Sequence, residues 1–224
     1  MNDKRAVVLL SGGLDSTTCM AVAESLGYDL YALSFRYGQK HSVELDSAER
    51  TAKHYNAAEH RIISLDPKAF SQSSLTGTGE VPDYEERGEE IPSTYVPARN
   101  LIFLSYAAGF AETTGAEAVF AGVNAVDYSG YPDCRPEFID KFQECLLLAT
   151  RAGIQKRIPE IKTPLIDLTK AEIIKLGISL GVDYSITHSC YNPDSENRPC
   201  RKCDSCVLRK KGFDEAGVPD PLFE

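Results

Sequence analysis

The run VVLLSGGLDSTT, Val7 to Thr18, constrains this chain more than any other stretch. Ala6 to Leu10 are apolar without a break, as in a parallel strand buried on both faces, and they end in Ser11-Gly12-Gly13, where the backbone turns tightly. A helix is expected from about Ser16 to Leu26, stopped by Gly27. Strand, glycine turn and helix in that order make an anion cradle: the glycines let backbone N–H groups approach, and the helix N-terminus adds a favourable dipole. Ser11, Ser16 and Thr17 add hydroxyl donors. Neither the Lys-Ser/Thr pair of a Walker loop nor the GxGxxG of a dinucleotide fingerprint is present. Asp15 would repel a phosphate by itself, so it calls for a bridging cation such as Mg²⁺ or serves as an acceptor for loop donors.

The same alternation continues downstream. Strands are expected at Leu30 to Phe35, Arg61 to Leu65, Ala118 to Val123 and near Ile158 to Ile161. Helices are expected over Val43 to Tyr55, Arg99 to Thr114 and Pro136 to Ala152, and from an N-cap at Thr169 with Glu172 three residues on, a capping-box pattern. Strands separated by helices at this spacing indicate βαβ units, hence an α/β fold with a doubly wound parallel sheet. Residues 66–97 hold no period and are rich in Gly, Pro, Ser, Thr and Glu, as expected of an active-site lid. At 224 residues one domain is expected: an α/β body over residues 1–184 and a small cysteine-bearing segment, 185–224, fastened to it.

Four of the seven cysteines, Cys190, Cys200, Cys203 and Cys206, crowd into that last segment. C-x2-C-x2-C with a fourth thiolate upstream can close a tetrahedral structural zinc site. An iron–sulfur cluster also takes four thiolates, although the x3-C-P continuation of bacterial ferredoxins is missing, and free thiols engaged in sulfur transfer are a third possibility. His188 is an alternative ligand to Cys190. Cys19 and Cys145 fall inside expected helices, where a buried cysteine acts as a small hydrophobe. Cys134 stands in a polar loop beside Arg135.

The formal net charge of −9 argues against an extended polyanion as partner, and basic residues around the cysteines offset thiolate charge. A small-molecule substrate, no nucleic acid and no membrane partner follow as expectations. No apolar run approaches the ~20 residues needed to span a bilayer, so a cytoplasmic location is expected. The stretch GVNAVDYSGYPDCRPEF follows the fourth strand, where open α/β sheets bind their ligands. In it Asp127 and Asp133 can accept from an amino-pyrimidine edge, Tyr128 and Tyr131 can stack on a heterocycle, and Arg135 can hold a carboxylate.

SGGLDS resembles the SGGxDS motif of the PP-loop ATP pyrophosphatases, which cleave ATP to AMP and pyrophosphate while adenylating a substrate oxygen. That resemblance implies that Leu10, Ser11, Gly12, Gly13, Leu14, Asp15, Ser16, Thr17 and Thr18 contact ATP, with Asp15 near Mg²⁺. Taken with YGQKH, YVPARN, the loop above, TPLIDLTKAEI and HSCY…CRKCDSCVLRKKGF, the chain resembles the 7-cyano-7-deazaguanine synthase family of queuosine-precursor synthesis over nearly its whole length. The resemblance implies conversion of 7-carboxy-7-deazaguanine, ammonia and ATP into the nitrile, with Zn²⁺ on Cys190, Cys200, Cys203 and Cys206, and a homodimer. Asp15, Ser16 and Arg99 are the expected catalytic residues, and Asn100 and Lys170 are further candidates for steadying phosphate or adenylate. A PP-loop tRNA thiolase is the rival reading. Ala98 departs from the glycine that the family often places in VPGRN.

Overall fold

Short apolar runs separated by helices pair in parallel because each crossover must carry the chain back along the sheet before the next strand begins. The computed structural model describes residues 4–41, 43–77, 79–85, 91–126 and 131–223. Among them, strands β1 (Arg5–Leu9), β2 (Asp29–Arg36), β3 (Glu59–Ser64), β4 (Ala118–Phe120) and β5 (Glu160–Lys162) form one sheet in the order β3-β2-β1-β4-β5. Every pairing is parallel, and Val7 of β1 lies between Tyr31 of β2 and Val119 of β4. The chain winds outward from β1 to one edge, then returns to lay β4 and β5 on the other side, so the topological switch falls between β1 and β4.

The period-2 alternation of a strand decides which layer each residue feeds. Val7, Leu33 and Val119 point to one face, where they pack with Leu104, Phe110, Phe142 and Leu146 of helices α3 (Arg99–Thr114) and α4 (Pro136–Ala149). Ala6, Val8, Ala32 and Phe120 point to the other, against α1 (Leu14–Ser25), α2 (Val43–His54), α6 (Lys170–Ser179) and α7 (Asp204–Ala216). Thr169 and Glu172 close the capping box at the start of α6.

Three expectations change. The helix begun at Pro136 stops at Ala149: Thr150 takes an extended conformation and its side chain accepts from Gly153 N, starting the separate turn α5 (Arg151–Ile154). Cys145 lies on the outer face of α4 and is exposed, so it is not a core hydrophobe. Helix α7 was not anticipated, although Gly217, at φ +76°, supplies its left-handed C-terminal stop. Its Phe213 is buried in the same cluster as Met20 and Ile173, so the cysteine segment shares the main core. The stretch 66–97 also contributes to that body: Phe70, Leu75 and Val96 are buried, and Pro67–Phe70 forms a 3₁₀ turn. Tyr84 N donates to Lys202 O at 2.7 Å, and Lys202 pairs with Asp83 at 3.0 Å, which ties this stretch to the cysteines.

Candidate active site

A cavity of about 240 Å³ opens beyond the carboxyl ends of β1, β2 and β4. Ser11, Gly13, Asp15 and Ser16 form one wall, Tyr37 and Glu44 a second, Arg99, Asn100 and Tyr131 a third, and His188 to Tyr191 a fourth. The glycine turn takes its shape from tight packing. Gly12 sits at φ +84°, and a Cβ there would come within 2.2 Å of Glu44 O and 2.5 Å of Ala48 N, so only glycine lets α2 close over the turn. Ser16 Oγ accepts from Ser11 N at 3.2 Å and donates to Gly13 O at 3.1 Å, holding the backbone amides in a ring that faces the cavity.

Asp15, in the first turn of α1, is met by Lys170 Nζ at 2.7 and 2.9 Å on its two oxygens. The carboxylate expected beside a cation therefore has a protein cation against it, supplied by the first residue of α6. Thr17 and Thr18 do not reach the cavity: both are fully buried, and Thr18 Oγ1 donates to Leu14 O at 2.9 Å and lies 2.8 Å from Tyr184 Oη. A helix turns its residues through 100° each, so positions two and three past Asp15 turn into the interior, Thr18 toward Tyr184 and α6. The same correction applies to Asp133, whose Oδ2 accepts from Asn100 N at 2.8 Å and so satisfies the start of α3 instead of facing the cavity. Arg135 is exposed as the residue preceding α4 and lies outside the cavity wall. Tyr131 does line the cavity, its Oη 2.8 Å from Thr94 Oγ1. Asp127 and Tyr128 lie outside the described residues.

Arg99 brings a permanent positive charge to the cavity, its Nη1 donating to Tyr37 Oη at 3.4 Å. It follows Ala98, which is held at φ +54° and ψ +24°, a left-handed conformation where a Cβ costs energy. Facing Arg99 is Glu44, whose carboxyl makes no hydrogen bond among the described residues. Burial pushes its pKa up to about 7, with the Cys203 thiol adding to the rise and Arg99 opposing it. Cys134 is no nucleophile: burial first, then Asp133, raise its thiol to about 11.

The four cysteine sulfurs of the C-terminal segment lie within 4.8 Å of one another. Tetrahedral zinc with Zn–S of about 2.3 Å needs sulfurs roughly 3.8 Å apart, so a small contraction would seat an ion. Backbone amides already point at them: Asn192 N and Cys200 N donate to Cys190 Sγ at 3.3 and 3.2 Å, and Cys203 N to Cys200 Sγ at 3.4 Å. Such donors favour thiolates, the form that binds metal. His188 is not part of this group; its imidazole is buried, and burial together with Arg209, Arg50 and His41 pushes its pKa down to about 4.

The model of the family described as queuosine biosynthesis protein QueC matches residues 5–217. The chain belongs to that family. It is 58% identical to a 7-cyano-7-deazaguanine synthase of Desulfatibacillum aliphaticivorans, covering 97% of this chain and 95% of that one. It is 55% identical to the synthase of Saccharophagus degradans, over 99% and 98% of the two chains. Among solved structures, an NMN synthetase from Francisella tularensis superposes with a TM-score of 0.51 at 19% identity, covering 96% of this chain and 73% of that one. A 4-thiouridine synthetase in complex with RNA and bound ATP gives 0.51 at 18%, covering 96% of this chain and half of that one. These two likenesses show a shared fold.

Within the QueC frame, several cavity residues escaped sequence reasoning. Glu44 lies three residues beyond YGQKH in a helix first turn, where an acid reads as a favourable surface charge. Ser189 and Tyr191 flank a metal-type cysteine and were overshadowed by it. Gln39, inside the motif, works on the backbone: its side chain accepts from Tyr37 N at 2.8 Å and donates to Phe35 O at 2.9 Å, fixing the exit from β2.

Proposed function

We propose that this chain is a 7-cyano-7-deazaguanine synthase that joins ammonia to 7-carboxy-7-deazaguanine at the expense of ATP. The observation that carries the reading is a phosphate cradle opening at the sheet's switch point into a cavity that also holds Arg99 and Tyr131. Ser11, Gly13 and Ser16 are placed to receive the pyrophosphate end of ATP through loop amides and hydroxyls. Arg99 is suited to an anion, the substrate carboxylate or the adenylate made from it. Mg²⁺ bound with ATP would neutralise phosphate charge, with Asp15 as its protein acceptor once Lys170 yields.

The chemistry needs activation because a carboxylate has no good leaving group. Its oxygen attacks the α-phosphorus and pyrophosphate departs; ammonia then adds to the acyl carbon and AMP leaves, giving the amide after loss of a proton. A second adenylation, on the amide oxygen with release of pyrophosphate, followed by loss of AMP and of both amide N–H protons, gives the nitrile. One site performs both rounds. Zn²⁺ on the four cysteines is the metal we assign, in a structural role, because four thiolates leave no open position. Small molecules, not nucleic acid, are the partners in this reading, which agrees with the net charge of −9. A homodimer in the cytoplasm completes it, and no described helix is long and apolar enough to cross a membrane.

Mass spectrometry of a reaction with purified protein, Mg²⁺-ATP, ammonium and the carboxy acid tests the reading. The nitrile with AMP and pyrophosphate is expected, and the amide should be converted when supplied in place of the acid. Unchanged acid without AMP would overturn the substrate assignment, and ADP in place of AMP would overturn the adenylation.

A further inference from the structure

The PP-loop and Cys190 of the thiol cluster line one cavity, although about 175 residues separate the two segments in sequence. Two routes join them. Along the first, His188 N donates to Gly12 O at 2.9 Å, and Ser189 Oγ accepts from Leu14 N at 3.4 Å, the first amide of α1. The next residue is Cys190, a member of the thiol cluster. Arg209 of α7, fully buried, donates to Thr187 Oγ1 at 2.8 Å and approaches Ser189 Oγ at 3.5 Å, so it holds this short segment from behind. Along the second route, α7 begins between Cys203 and Cys206 and passes over Lys170, the residue that grips Asp15. Gly212 makes the passage possible: a Cβ there would stand 2.3 Å from Lys170 Cγ and 2.8 Å from Lys170 Cβ.

We infer that Ser189 and Arg209 are positioning residues that transmit the state of the four-cysteine cluster to the PP-loop, so that a metal on the thiolates sets the affinity for ATP. The inference rests on the metal reading of the cluster given above. A purely structural metal would hold the C-terminal segment and leave the loop alone. Here the segment it holds supplies a backbone donor to Gly12 and an acceptor to the N-terminal amide of α1. Held at both ends by these two bonds, the turn from Gly12 to Leu14 keeps its remaining donors where an anion would use them, and a loop whose donors point elsewhere binds phosphate poorly. Ser189 does not take part in bond making; it acts by where it leaves Leu14 N and the turn before it.

The test is calorimetric titration of the full chain with a non-hydrolysable ATP analogue, read together with amide exchange at Leu14. Ser189→Ala, with the metal retained, is expected to raise Kd about five- to tenfold and to speed exchange at Leu14 but not at Phe213, while Ser189→Thr keeps Kd within about twofold. Unchanged affinity and unchanged Leu14 exchange in Ser189→Ala would overturn the brace. Stripping the metal with a chelator is expected to raise Kd by about tenfold or more, reversed by added Zn²⁺. A stripped protein that keeps its fold and binds the analogue as tightly as before overturns the coupling. If stripping unfolds the chain, the Ser189 variants decide. Elemental analysis that finds no metal on the purified protein overturns the metal half alone, and failure of the synthase reaction leaves all of these binding results standing.

Discussion

Two ion pairs, one between α7 and the residues that follow it and one between α6 and α1, differ in what surrounds them. Arg209 and Asp220 are closed off, each side chain 2% exposed, with the guanidinium donating to both carboxylate oxygens at 2.8 Å and also to Thr187 Oγ1 and Tyr184 O. Lys170 and Asp15 meet at 2.7 Å, but Asp15 keeps 24% of its side chain exposed and lines the cavity. A planar, fully saturated guanidinium has no bond to spare and pins α7 to the tail. A lysine ammonium on a flexible stem, facing a carboxylate open on one side, can exchange partners when charge enters the cavity. In the proposed function the closed pair serves architecture and the open pair chemistry, which makes the contrast testable.

The largest expected effect is on the closed pair. Arg209→Met leaves Asp220 buried without its cation and should cost about 3–5 kcal/mol in urea unfolding, while Arg209→Met combined with Asp220→Leu should regain most of it. A double variant as unstable as the single one would break the contrast. Next, Asp15→Asn should lower the rate of pyrophosphate release about a hundredfold, roughly 2.7 kcal/mol in barrier, with an unfolding midpoint close to wild type because water reaches the site. A matching loss of stability would make the open pair architectural after all.

Glu44 sharpens the comparison, as a half-buried carboxyl that lacks an ion-pair partner within hydrogen-bond reach among the described residues. Its pKa in the fold is raised to about 7, chiefly by burial, so the folded chain binds the proton more tightly than the unfolded one. Its contribution is most favourable below the unfolded value near 4.3 and is lost as pH rises through 7. Urea unfolding at pH 5 and pH 8 should therefore show a fall in stability that Glu44→Gln reduces, by about 1–2 kcal/mol once the open cavity side is allowed for. The smallest effect belongs to Ala98. Glycine relieves the strain at φ +54° but adds freedom to the unfolded chain, so Ala98→Gly should gain about 0.5 kcal/mol, visible as a rise of a degree or two in Tm.

What could be read in advance depended on how local its cause was. The strand, glycine turn and helix of residues 5–25 are decided by neighbours in sequence, and helix α3 begins and ends where its pattern says, at Arg99 and Thr114. The capping box at Thr169 and Glu172 is equally local. Helix α7 escaped because its buried face carries Cys206, Arg209 and Gly212 in place of a leucine stripe, and an arginine reads as surface until Asp220 is seen to close over it. In the loop after β4 the residue types suited a heterocycle, yet type does not give direction: Tyr131 faces the cavity, while Asp133 turns to the amide of Asn100.

Periodicity, glycine placement and short cysteine spacing act over a few residues, so the order of strands and helices, the anion cradle and the grouping of four thiols are written locally along the chain. It takes the assembled sheet to bring Lys170 to Asp15, to turn Glu44 toward Arg99, and to set His188 to Tyr191 in the wall of the cavity. Each of those facts joins groups far apart in the chain, and the contacts that create them exist only once the sheet has placed its carboxyl ends side by side.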